Sequence, residues 1–316
     1  MSGSPREARP HLVIVLGPQR RPTLEHVALS LPPDGLAGVV TAGWQERESE
    51  DDELRRLLNR PSVNLGLYAR WMDVLEQDRE YAVAEMEHRA VLDELQQLYL
   101  VQLDGALQAL STLSGRPGGR PRLRTAAAAD ALAAVRLVDQ RHLARVAEVN
   151  EAFTAAWRPA ERPVIAARRQ QVQQLLEPAT FLVVAGGHVG VLLSVLRLFG
   201  IHALLPGTLV AWSAGAMAVA DRVVLFHDRA PHGPAHPELY DAGLGLAAGV
   251  VFLPHARRRL VIEDLTRMSV LARRAAPAYC VVLDDGTRLD LAPGGLLPPG
   301  TRVIGADGRI VALEQE

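Results

Sequence analysis

Ser213 lies in Ala211-Trp-Ser-Ala-Gly-Ala216, directly after the apolar run Thr208-Leu-Val210. Small residues on both sides of a serine let a strand turn sharply into a helix without side chains striking the neighbouring backbone. The pattern is close to Gly-x-Ser-x-Gly, with Ala211 in the first small position and Gly215 in the last. A hydroxyl exposed on such an elbow becomes a nucleophile for acyl transfer once an adjacent base takes its proton. His255 is the best base: it closes Gly243-Leu-Gly-Leu-Ala-Ala-Gly-Val-Val-Phe-Leu-Pro-His255, where a buried strand ends at proline and delivers the imidazole to a sheet edge. Ligands of open α/β sheets sit beyond the carboxyl ends of the strands, so Ser213 and His255 are expected on one rim. An oxyanion needs two main-chain donors. Ala214 supplies one, and Gly187 in the Ala185-Gly-Gly-His188 turn supplies the other, because a residue without a side chain lets backbone approach substrate.

Other chemistry-bearing residues cluster in His227-Asp-Arg-Ala-Pro-His-Gly-Pro-Ala-His236. His227, His232, His236 and Asp228 are the residue types that suit zinc, but the prolines and irregular spacing give no helical two-histidine face. A loop covering the substrate is expected there, with no metal and no cofactor. Arg229, His188 and Arg257 are the candidate partners for an acidic substrate side chain, since guanidinium groups hold carboxylates bidentately. All 34 basic residues are arginine, which excludes a lysine nucleophile, a Schiff base and a phosphate-loop lysine. The single cysteine, Cys280, allows no internal disulfide and lies in the apolar run Tyr279–Leu283, the place of a buried strand residue.

The elements that must position these residues are those of an α/β fold. Leu12–Leu16 and Gly38–Thr41 are aliphatic runs with a short helix, Thr23–Leu29, between them, the start of a parallel sheet. From Arg47 to about Pro178 the texture turns charged and alanine-rich. Leu92, Leu95, Tyr99, Leu103, Leu107 and Leu110 form one apolar stripe, and Val135, Val138, Val146, Val149 and Phe153 form another. The helix-breaking Ser114-Gly-Arg-Pro-Gly-Gly-Arg-Pro121 between them predicts a hairpin of two long helices, with a further helix over Val164–Leu176. From Phe181 strands and helices alternate again: strands at Phe181–Val184, Thr208–Trp212, Val223–Phe226, Val250–Leu253 and Tyr279–Leu283. Tight turns at Asp284-Asp-Gly and Ala306-Asp-Gly are expected to join strands at the C-terminal edge. Three segments result: residues 1–46 and 179–316 build the α/β domain, and 47–178 is a helical insertion that restricts access or forms a homodimer interface.

With 316 residues, 48% of them hydrophobic, the chain can bury one large core or two modest ones. Its net charge of −2 gives no general pull toward nucleic acid or anionic lipid. No membrane-spanning run and no signal core follow the polar Met1–Pro10, so a cytoplasmic location is expected.

The Val183-Val-Ala-Gly-Gly-His turn with its following helix, the Trp212-Ser-Ala-Gly-Ala elbow and the Gly-Leu-Gly-Leu to Pro-His segment resemble, in order and spacing, the dipeptidase E and cyanophycinase family of serine peptidases. The resemblance covers about Phe181–Glu316 with specific motifs and does not cover the helical insertion. It implies a flavodoxin-like or glutamine-amidotransferase-like sheet and cleavage of peptide bonds next to aspartyl residues. Ser213 matches the nucleophile, His255 the base, and Gly187 and Ala214 the oxyanion hole. The resemblance also implies Asp228, fifteen positions after the serine, as the acid that orients His255, with Asp221 and Glu238 as alternatives. Two positions depart from the pattern: His188 replaces an amide or acid, and Ala185 replaces glycine. The expected activity is therefore that of a serine hydrolase on a small peptide or isopeptide. The rival is a non-catalytic binding module that uses the insertion as its partner surface. A glutamine amidotransferase is excluded, because the elbow holds no cysteine and no His-x-Glu pair follows.

Overall fold

The computed structural model describes residues 10–19, 22–31, 35–228, 236–292, 294 and 297–314. In chain order, β1 (Leu12–Leu16), α1 (Leu24–Ser30) and β2 (Leu36–Val40) lead through a 3-10 segment (Ala42–Arg47) to α2 (Asp52–Leu58), β3 (Ser62–Asn64) and α3 (Leu67–Gln77). The helical hairpin follows as α4 (Arg79–Gly115) and α5 (Pro121–Trp157), and α6 (Pro163–Leu176) returns the chain to the sheet. Then come β4 (Ala179–Val184), α7 (Val189–Leu198), β5 (Thr208–Trp212), α8 (Ala214–Val219), β6 (Arg222–Leu225) and β7 (Glu238–Ala242). The chain closes with β8 (Val250–Pro254), α9 (Ala256–Arg259), α10 (Leu265–Ala275), β9 (Tyr279–Leu283), β10 (Arg288–Leu291), β11 (Arg302–Ile304) and β12 (Ile310–Ala312).

The main sheet has the order β10-β1-β5-β4-β2-β3, parallel throughout except for β10 at its edge. It is flanked by helices on both faces, the architecture expected from alternating strands and helices. Because side chains alternate along a strand, Ile14, Leu16, Val183 and Val210 pack under α1 and α2, while Val13, Val15, Val184 and Ala211 pack on the face of α7 and α8. A strand buried on both faces is apolar at every position, which is why β1, β4 and β5 are continuous aliphatic runs.

Three features differ from the sequence expectation. The edge strand β3 lies inside the 47–178 segment expected to be helical; its half-buried Ser-Val-Asn has no aliphatic run to announce it. Strands β8 and β9 do not extend the main sheet. They pair in parallel in a second sheet with β11 and β12, while β6 and β7 form an antiparallel pair of their own. The Asp284-Asp-Gly turn therefore carries the chain between sheets: β9 precedes it in one, and β10 follows it in the other. β10 alternates exposed Arg288 and Asp290 with buried Leu289 and Leu291, a pattern suited to an edge. The Ala306-Asp-Gly turn does join a hairpin, β11 to β12. Cys280 is buried in β9, and burial pushes its thiol up to about 12. Among the described residues no helix is long and apolar enough to cross a membrane.

The hairpin helices, 37 residues each, bury part of the anticipated stripes: Tyr99, Leu103, Leu107 and Leu110 share a core cluster with Leu132 and Val135, Val146 is buried as well, and Leu92, Leu95, Val138, Val149 and Phe153 are half-buried. A buried polar network ties them to the α/β body. Asp139 accepts from the Tyr99 hydroxyl (2.8 Å) and from Arg274 Nε (3.0 Å) and Nη2 (2.9 Å), while Arg274 also donates to Pro237 O (2.7 Å). The Tyr99 hydroxyl in turn accepts the N–H of Leu239 (3.1 Å) at the start of β7. With both side chains of the Asp139–Arg274 pair about nine-tenths buried, Asp139→Ala strands a guanidinium in a dry interior. We expect it to destabilise the protein by about 3–5 kcal/mol in denaturant titration.

Two hairpin histidines give a pH dependence with a definite sign. His142 stacks on Tyr99 (centroids 4.1 Å apart) and His88 on Phe153 (4.2 Å), and burial lowers the proton affinity of both. The folded state thus favours neutral rings, whereas the unfolded chain takes up protons near the ordinary histidine pKa of about 6.5. Stability contributed by these groups is present above that value and is lost as pH falls through it. The midpoint of thermal unfolding should drop between about pH 7.5 and about pH 5.5, and His142→Phe should flatten that slope; an unchanged slope would refute the assignment.

Candidate active site

Ser213 joins β5 to α8 with φ 51° and ψ −120°. This is a conformation that a residue with a Cβ adopts only when its surroundings enforce it, at a cost on the order of 1–3 kcal/mol. The surroundings here are bare backbone. A Cβ on Gly215 would stand 2.3 Å from Val184 O, and one on Gly186 would stand 2.7 Å from Ser213 Cβ and 3.5 Å from its Oγ. Alanine suffices at position 211 because it is an ordinary strand residue, paired with Val15 and Val184. The Ser213 carbonyl accepts the Met217 N–H (3.1 Å), which starts the helix.

The turn after β4 lies against the turn after β2. Ala185 N–H donates to Val40 O (2.9 Å), and His188 N–H donates to Gly43 O (2.7 Å). Gly187 has φ 115°, and a Cβ there would fall 2.2 Å from Gly43 O; a Cβ on Gly43 would fall 2.5 Å from Gly186 O. Gly43 and Gly186 are thus as necessary to the turn as Gly187, although the sequence reading singled out Gly187 alone. The signal for Gly43 is its place just after an apolar run. Among the described residues, the N–H groups of Gly187 and Ala214 donate to no protein acceptor.

His255 closes β8 in the left-handed region, with φ 58° and ψ 32°. Its N–H donates to Leu283 O (2.9 Å), and its carbonyl accepts from Arg258 (2.9 Å) and Arg259 (3.0 Å), so the ring stands where the strand breaks into α9. Ser213, His255, Gly186, Gly187 and Ala214 all line one cavity of about 550 Å³, whose walls include Trp44, Trp212, Met217 and Phe226. The two side chains expected on one rim share it.

The remaining candidates divide. Asp228 is buried and not on the cavity wall. Its carboxylate accepts from Arg267 Nη2 (2.7 Å) and Val261 N–H (3.0 Å), and its own N–H donates to Arg259 O (2.7 Å). It therefore anchors the chain just after His255. Asp221 accepts the Gly249 N–H (2.6 Å), away from the cavity. Glu238 is on the cavity wall, held by Gln96 Nε2 of α4 (2.6 Å). His188 is exposed and is not on the wall; its Nδ1 accepts the Val191 N–H (3.1 Å) and caps α7. Arg257 is exposed and paired with Asp284 (2.9 Å). Arg229 and His232 lie outside the described residues, whereas His227 and His236 line the cavity. Among the described residues no three His, Cys, Asp or Glu side chains converge as a metal site.

Arg259 is the residue that the sequence reading missed. It is half-buried on the cavity wall, with its guanidinium 6.0 Å from the Phe226 ring centroid, and burial alone lowers its pKa. Among the described residues it makes no ion pair. Of the three arginines in α9, only the one four positions after His255 reaches inward, a choice that the geometry of the turn makes and the sequence does not.

No family model and no curated protein sequence matches this chain. Among solved structures it is similar to the crystal structure of a peptidase from an acI-B1 Actinobacterium, at 13% identity and a TM-score of 0.45, over 98% of this chain and 96% of that one.

Proposed function

We propose that this chain is a serine hydrolase that cleaves a small peptide or isopeptide beside an acidic residue. The observation that carries the proposal is Ser213, held in its strained backbone conformation on the wall of a cavity that it shares with His255 and with two main-chain donors that have no acceptor among the described residues. Ser213 Oγ attacks the scissile carbonyl as His255 takes its proton. The tetrahedral oxyanion then accepts from the N–H groups of Gly187 and Ala214, each such donor being worth about 3–4 kcal/mol in enzymes of this kind. His255 returns the proton to the leaving amine as the carbon–nitrogen bond breaks. Water, deprotonated by His255, then releases the acid product and restores the serine.

Arg259 supports an acidic group in the substrate, because a half-buried guanidinium with no ion pair among the described residues gains most from a carboxylate brought to it. In this scheme Asp228 positions His255 through the main chain of α9, and Glu238 is the carboxylate of the cavity that stabilises the imidazolium.

A fluorophosphonate probe should form an adduct on Ser213 of the folded protein and none on Ser213→Ala or, at comparable rate, on His255→Ala. Folded protein that takes no label would leave a binding module in place of an enzyme. With aspartyl dipeptides, Arg259→Gln should reduce kcat/KM by roughly two orders of magnitude while Ser213 still takes the probe. Glu238→Gln should lower kcat with the melting temperature intact, whereas Asp228→Asn should lower the melting temperature. The reverse pattern would return the orienting role to Asp228.

A further inference from the structure

A second recess of about 410 Å³ adjoins the Ser213 cavity and shares Gln19, Trp44, Gly187 and Trp212 with it. The two are neighbouring parts of one groove that passes over the Gly187 turn. Their chemistry differs. The apolar lining of the second recess is Leu24 of α1 and Leu54 and Leu57 of α2, together with Trp44 and Trp212, which it shares with the first cavity. Its rim carries Arg47, Glu50 and Glu53. Arg47 and Glu50 pair with each other at 2.7 Å, and Glu53 makes no ion pair among the described residues, which leaves the rim one carboxylate in excess. Arg259 lines the first cavity only.

Trp44 reaches this position by a device of its own. The next residue, Gln45, has φ 58° and ψ −124°, nearly the backbone conformation of Ser213, and lies inside the 3-10 segment five residues after the end of β2. Strain at a residue that performs no chemistry is retained when it aims a neighbour. Here the neighbour is Trp44, which lines both recesses.

We propose that the second recess is the subsite for an apolar side chain on the residue across the scissile bond from the acidic one, an inference that rests on Ser213 being the nucleophile. The substrate class is then an acidic residue joined to an apolar one. Arg259 holds the carboxylate at one end of the groove, and the leucine and tryptophan lining takes the other side chain. The excess rim carboxylate disfavours a second acidic residue there.

The Ser213→Ala protein separates binding from turnover, and two of the chain's four tryptophans line the recess, so their fluorescence reports occupancy. Titration with Asp-Leu, Asp-Phe, Asp-Gly and Asp-Glu dipeptides should give the leucine and phenylalanine peptides at least about tenfold tighter binding than the glycine peptide, with the glutamate peptide weakest. Leu57→Gln in the same background should erase the apolar preference. Glu53→Gln, an exposed change that leaves the core untouched, should improve binding of the glutamate peptide severalfold relative to the glycine peptide. Equal binding of all four peptides, or binding of none, overturns the subsite. Fluorophosphonate labelling of the unmodified protein is read separately: labelling without side-chain preference rejects the subsite and keeps the hydrolase, whereas folded protein that takes no label rejects the hydrolase and with it the subsite's place across a scissile bond.

Discussion

A serine with φ 51° and ψ −120° persists only where its neighbours have no side chains to collide with it, and this requirement shapes the whole carboxyl edge of the main sheet. Gly215 must be bare because Val184 O is against it, and Gly186 must be bare because Ser213 itself is against it. Gly43 and Gly187 must then be bare because their turns lie backbone on backbone. Each contact depends on the one before it. The strands that deliver these turns are β2, β4 and β5, three neighbours in parallel register, with Val40 opposite Val184 and Val184 opposite Ala211. Their ends therefore come level, and the turns converge.

Convergence of turns also explains why the nucleophile is strained. A strand that ends at a crowded edge cannot simply run on into a helix pointing away. At Ser213 it reverses within one residue, which is forced into an unusual backbone region, and Gln45, five residues beyond the end of β2, takes nearly the same one. Ser213 is thereby held at the cavity wall, and Trp44, next to Gln45, lines both recesses. Tight packing resists relaxation of either, since interiors at crystal-like density leave no space for the alternative backbone.

Much of this was legible in sequence because it is local. The aliphatic runs at β1, β4 and β5, the small residues around Ser213, the proline before His255 and the two helical stripes each follow from properties of contiguous residues. What stayed hidden depends on partners far along the chain. β3 is a strand because β2 offers it an open edge, not because Ser-Val-Asn favours one. The division of β8 and β9 from the main sheet is decided by which edge β10 takes. Arg259, and not Arg257, faces the cavity because a left-handed His255 starts α9 in one particular rotational phase, which places Arg257 over Asp284 and turns Arg259 inward. No pattern of arginines within Arg257-Arg-Arg259 encodes that phase.

The helical hairpin meets the cavity through one strand. β7 begins with Glu238, on the cavity wall, and beside its pairing with β6 that end is held by the hairpin and by α10. Gln96 donates to the Glu238 carboxylate (2.6 Å) and to Leu239 O (3.2 Å), the Tyr99 hydroxyl takes the Leu239 N–H (3.1 Å), and Arg274 holds Pro237 O (2.7 Å). Because Tyr99 and Arg274 both bind Asp139 of α5, a shift of either hairpin helix moves the start of β7 with it. The apolar stripes would bury equally well at several small offsets, since hydrophobic contact is non-directional. Hydrogen bonds to a buried carboxylate tolerate no such sliding. The network therefore does what the stripes cannot: it fixes the register of the insertion against the sheet, and with it the place of Glu238 on the cavity wall.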